Sequence, residues 1–210
     1  MLTASQILRQ STHAGHVALE RTPLASDLMC PELTTRRYVE ILAIWAAAWT
    51  ALENCIWASP AMHEIEALLP RQSADLAQDD LRYWSEQGYG VPELHHASQR
   101  WHALRPNHVP ELLGVCYVAR GASLGSKVIA AQLQKTLRLS EGRGTSFFST
   151  NGPNNVSTLS WPKWTARLDA QLLSPETRAM AVVWANATFA ALHDSFLNLG
   201  QAQPQPQSVA

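Results

Sequence analysis

The sequence predicts an all-α protein folded as one domain, and three observations carry that prediction. Apolar residues recur at helical spacing in most segments, no stretch sustains the two-residue alternation of a strand, and proline, glycine and Ser/Thr fall where helices should start and stop. The 210 residues suit a single domain, and 46% of them are hydrophobic, enough for a core of its own. About seven or eight helices are expected.

Thr3 is placed to cap a first helix reaching about Glu20, with Pro23 as its stop. Thr34 or Thr35 caps a long second helix to about Trp57, closed by Ser59-Pro60. Its run from Ile41 to Leu52, bounded by Glu40 and Glu53, is too short to span a bilayer and reads as a buried helix. A third helix covers Ser73 to Gln87, with Gly88 as its stop and Asp79 and Asp80 on the exposed side. A shorter one follows from Pro92 through Ala103, and a long one from Pro110 to Leu139. Between Glu141 and Ser160 the composition turns to Gly, Ser, Thr, Asn and Pro, so a loop interrupts the helices. Pro162 opens a helix to Leu172, and Ser174-Pro175-Glu176 opens the last, to Leu199. The domain is thus expected over residues 1–200, with 201–210, where Gln and Pro alternate, as a flexible tail.

Sixteen Lys and Arg against 17 Asp and Glu leave no global field for nucleic acid or an anionic membrane. Cys30, Cys55 and Cys116 are too dispersed for a disulfide framework or a CxxC metal site, which fits a reducing cytoplasm. The N-terminus lacks the basic and apolar regions of a signal peptide.

Eight histidines raise the question of a metal. His95, His96 and His102 lack a carboxylate at helical spacing, His63 and His108 flank prolines, and His193 sits late in the last helix. All of these read as surface or half-buried side chains. In the first helix, Arg9, His13, His16 and Glu20 form one polar stripe opposite Ile7, Ala14, Val17 and Ala18. Such a stripe is either a solvated face or a ligand set. In the second case a neutral His16 imidazole binds a transition metal and Glu20, one turn on, accepts its other N–H. Arg9 then reaches an anionic group on the same ligand, the arrangement of a heme with an axial histidine and a propionate clamp.

Gly121 and Gly125 interrupt a strong helix former at a cost of about 1 kcal/mol each relative to Ala. Four residues apart, they make either a tight helix–helix crossing or a bare strip along which a flat object can approach. The absence of GK[ST] excludes a phosphate loop.

Leu8 through Glu20, with Thr12, His16 and Glu20 at four-residue spacing, resembles the opening of the heme oxygenases. Leu113 through Gly125, containing Tyr117-Val118, Gly121 and Leu124-Gly125, resembles that family's kinked distal helix. Phe147-Phe148, Asn151-Gly152 and Trp161 resemble its loop and penultimate helix, and Ala187-Thr188-Phe189 a last-helix motif. The similarity is closest to bacterial members, including those paired with bacteriophytochromes. Where mammalian members carry aspartate this chain has Ala122, where many relatives carry an acid it has Arg120, and Ser126 replaces a third small residue.

The resemblance implies a multi-helical bundle in which heme b is cofactor and substrate. O2 and an external electron donor, a ferredoxin or a flavoprotein reductase, would convert it to biliverdin, carbon monoxide and iron, with a bacteriophytochrome as a possible recipient. It implies His16 as the metal ligand and Gly121 and Gly125 as the catalytic strip. Arg9, His13, Glu20, Tyr117, Ala122, Lys163, Arg167 and Phe189 would contact heme. The competing readings are a heme-delivery protein without turnover, a diiron oxidase or thiamin-degrading hydrolase of the same architecture, and a purely structural helical protein.

Overall fold

The structure, a computed structural model, describes residues 2–70, 72–92, 98–139, 143–149 and 159–199. The expected tail at 201–210, His95, His96 and Asn151-Gly152 lie outside the described residues. Among those described there are helices and no strands.

The first expected helix is two. Helix α1 (Ala4–Ser11) is opened by a reciprocal cap, in which Thr3 Oγ1 accepts from Gln6 N–H and Thr3 N–H donates to Gln6 Oε1 at 2.9 Å. Helix α2 (His13–Glu20) follows a break at Thr12, whose hydroxyl donates to Leu8 O at 2.8 Å. Such back-bonding competes with the helical ladder and bends it. Pro23 does not end the α-helical region but occupies the first turn of α3 (Pro23–Leu28), capped by Thr22.

Helix α4 (Thr35–Trp57) is capped by Thr34, and the run at 41–52 is largely buried, as expected. Two 3₁₀ turns, Pro60–Glu64 and Glu66–Leu68, lead to α5 (Ala74–Glu86). Asp79 is exposed, but Asp80 is buried, accepting from Phe147 N–H at 2.8 Å. The expectation that both were exposed was wrong because that partner is 67 residues away. Helix α6 is only Arg100–Ala103, and α7 runs unbroken from Val109 to Leu137. Helix α8 (Trp161–Gln171) and helix α9 (Pro175–Leu199) complete the chain.

Helix α9 is the centre of the bundle. Helices α1, α2, α4, α6 and α7 all pack on it, most extensively α7. Gly114 lets those two meet: a Cβ there would press on the Ala181 carbonyl and lie 3.0 Å from Ala185 N. Helices α4 and α7 are long and apolar enough to cross a membrane, yet 67% and 50% of their apolar windows are buried within the protein.

Candidate functional site

Helix α2 buries none of its residues. It rests on α9 through Gly15, where a Cβ would come within 3.1 Å of Phe189 Cβ. Ala14 and Ala18, expected opposite the polar stripe, are themselves exposed. The break at Thr12 sets α2 so that Gly15 and Leu19 face the bundle.

His16 stands on the outer side, its side chain 55% exposed, with Nδ1 3.5 Å from Glu20 Oε2. Its ring meets Phe189 edge-on, with centroids 5.9 Å apart. Contact at Nδ1 leaves Nε2 as the nitrogen free to bind a ligand. Arg9 and His13 are exposed and border a shallow hollow with Leu2 and Gln6.

On α7, a Cβ added at Gly121 or Gly125 meets nothing within 4 Å. The tight-crossing reading therefore belongs to Gly114, and the two later glycines face open space. Leu124 and Val128, 52% and 61% exposed, extend that bare strip with apolar surface. Ser123 Oγ donates to Arg120 O at 2.6 Å and Ser126 Oγ to Ala122 O at 3.3 Å.

Tyr117 is buried against Trp161, ring centroids 5.8 Å apart. Burial raises its pKa, opposed by its side-chain contact with Thr12 and by the nearby positive charge of Arg9. Two sequence candidates thus converge at the junction of α1 and α7. Lys163 and Arg167 are exposed one turn apart on α8, which is tied to α1 by Ser5 N–H donating to Asp169 Oδ1 at 2.6 Å. Neither cation makes a hydrogen bond or an ion pair among the described residues.

Ala122 borders a hollow of about 400 Å³ on another flank of α7, shared with Arg120, Leu124, Trp45, Trp49 and Phe147. Sequence reasoning missed this aromatic group. Phe147 reaches it because its loop is docked on α5 and α4: Gly144 O accepts from Tyr38 Oη at 2.9 Å and Trp84 Nε1 at 2.8 Å. Burial is the cause of the raised Tyr38 and Asp80 pKa values, with Asp80 at about 6. Burial likewise depresses that of Arg120.

Among the described residues no three His, Cys, Asp or Glu side chains are grouped to hold a metal, so the diiron reading finds no ligand set there. Cys116 is fully buried and its pKa is pushed well up by burial, which removes the thiolate a hydrolase would need.

A search of curated protein sequences gave no match. Solved structures do share the fold. Heme oxygenase from Leptospira interrogans superposes with a TM-score of 0.71 at 17% identity, covering 94% of this chain and all of that one. Heme oxygenase-1 from the cyanobacterium Synechocystis, in complex with heme, gives 0.66 at 17% identity, covering 96% of both chains. The NO- and CO-bound enzyme from Neisseria meningitidis gives 0.66 at 20% identity, covering 100% of this chain and 99% of that one. A model of the heme oxygenase family matches residues 2–198, and the chain therefore belongs to that family.

Proposed function

We propose that the chain binds heme b between α2 and α7 and, with O2 and external electrons, cleaves it to biliverdin, carbon monoxide and ferrous iron. The observation that carries the reading is the pairing of His16 with Glu20 on one helix and two glycines open to space on another, both helices resting on α9. These residues suit heme: an imidazole with one nitrogen held and one free, an aromatic edge beside it, and a backbone strip without side chains.

His16 Nε2 would hold the iron, while Glu20, accepting from Nδ1–H, would fix the tautomer and the ring. Heme iron, when bound, supplies the site at which O2 is activated. Gly121 and Gly125 would leave room for O2 and let backbone amides and water donate hydrogen bonds there. Phe189 would pack beside the macrocycle. Arg9, with His13, Tyr117, Lys163 and Arg167 as further contacts, would meet the propionates, each charge-assisted bond contributing about 1.5–3 kcal/mol. Electrons would come from a ferredoxin or flavoprotein reductase, with a bacteriophytochrome as the recipient of biliverdin. A cytoplasmic location, without nucleic acid or membrane partners, fits the charge balance and the cysteine pattern.

Haemin titration tests the reading. The expected result is one heme per chain with a histidine-ligated Soret band, followed by biliverdin and carbon monoxide when ascorbate and O2 are added. His16→Ala should lose that spectrum. Stable heme binding without product would instead identify a heme-delivery protein, and unchanged spectra and turnover in the variant would overturn the axial assignment.

A further inference from the structure

The hollow beside Ala122 shares Leu124 with the bare strip, so a charge on its wall also acts on the open side of the proposed heme cleft. Arg120 stands on that wall, one residue before Gly121, and is only 8% exposed. Its Nη2 donates to Leu159 O at 2.6 Å, and its Nε is buried without an acceptor among the described residues. Burial is the cause of its lowered pKa, and no carboxylate there opposes it. Trp45 Nε1, on the same hollow, is a second buried donor without a partner among the described residues. Lys127 adds an exposed cation. Glu53 also lines the hollow but commits Oε1 to Ser73 N–H at 2.6 Å and Ala74 N–H at 3.1 Å.

A guanidinium bonded to a neutral carbonyl keeps its whole charge, and in a largely desolvated wall water and salt screen it weakly. Its field lowers the free energy of an anion nearby and leaves a neutral molecule almost unaffected. The same field opposes further positive charge, so a redox centre beside it is reduced more readily, burial and local charge being among the levers that set a heme potential. We infer that Arg120 is a specificity-determining cation of the heme cleft, which makes its open side select anionic small ligands over neutral ones and raises the reduction potential of the bound heme. Arg120 acts through space, since its side chain lies on the hollow and Gly121 and Gly125 do not. This role rests on the proposed heme reading and gives the cleft its electrostatic sign.

The full-length chain loaded with haemin is the test protein. Azide and fluoride are the anionic probes and imidazole the neutral one, each titrated at neutral pH by the shift of the Soret band, and a redox titration gives the ferric–ferrous midpoint. Arg120→Gln should weaken azide and fluoride by about threefold or more, as loss of one weakly screened charge does, leave imidazole unchanged and lower the midpoint potential. Arg120→Lys, which keeps the charge and loses the fork, should stay close to the parent, whereas a merely structural arginine would lose all three ligands alike in both variants. Ser123→Asp sets a carboxylate on the same wall and leaves Arg120 in place; it should weaken the anions in the same direction, and it decides the point if Arg120→Gln does not fold. A histidine-ligated spectrum with parental anion affinities and potential in Arg120→Gln or Ser123→Asp overturns the role of Arg120 alone, and so does equal loss of azide and imidazole. A parent chain that takes up no haemin overturns the heme reading and this role together.

Discussion

Replacing Gly125 by alanine should make the heme-free protein more stable and the enzyme worse. A new Cβ at Gly125 finds no atom within 4 Å, so nothing in the bundle opposes it. The helix gains about 1 kcal/mol in propensity, which for a domain of this size raises Tm by roughly 2–4 °C. The same methyl group would stand in the space the proposed cleft keeps for heme and O2, where a displacement of about 1 Å costs on the order of 100-fold in rate. Gly114→Ala is the control in the opposite direction. Its Cβ would lie 3.0 Å from Trp184 Cβ and against the α9 backbone, an overpacking cost of about 1–3 kcal/mol or more that exceeds the propensity gain. Calorimetry of the heme-free variants and single-turnover conversion of bound heme measure the two effects. A destabilised Gly125→Ala protein would refute the open-strip geometry, and a stabilised one with parental turnover would refute the strip's role in the cleft.

Glu20→Gln should keep heme bound but lower its affinity by about 10-fold or more, as loss of a residue that orients a ligating histidine does; competitive haemin titration measures it, and unchanged affinity would refute the orienting role. Asp80 makes stability fall with rising pH. Its folded pKa, raised by burial to about 6 from 3.8, means its contribution is fully present below about pH 4 and lost as pH rises through 6. That difference is worth about 3 kcal/mol. Urea midpoints at pH 4 and 7 should therefore converge in Asp80→Asn relative to the parent. Gly144→Ala should destabilise by about 2 kcal/mol or more, because φ is +74° and a Cβ would sit 2.6 Å from Trp84 Nε1; a lowered thermal midpoint reports it, and an unchanged one would refute it.

Local chemistry made most of the helices legible. Thr3 and Thr34 cap their helices in the structure as the sequence suggests, because a cap needs only residues three apart. The His16–Glu20 pair was readable for the same reason, since i,i+4 side chains meet on any helix. Pro23 was misread although Thr22-Pro23 carries the same cap-then-proline signal as Ser174-Pro175. The break at Thr12 was invisible, since a threonine bonded back to Leu8 O looks like any helical threonine in sequence. Asp80 and Arg120 were harder still: the partner of one is Phe147 and of the other Leu159, contacts that only the folded chain creates.

Glycine on α7 shows how tertiary context assigns opposite meanings to one residue type. At Gly114 the missing side chain admits the backbone of α9, so two helices touch and the bundle is held shut. Two turns later, at Gly121, and again at Gly125, the same absence admits nothing from the protein. A helix interior bears that entropic cost without any packing return. Leu124 and Val128 compound it by leaving apolar surface in solvent, an arrangement that stabilises the fold only when something flat and apolar covers it. The less-than-optimal half of α7 is therefore the half that points to a ligand, and the well-packed half holds it in place.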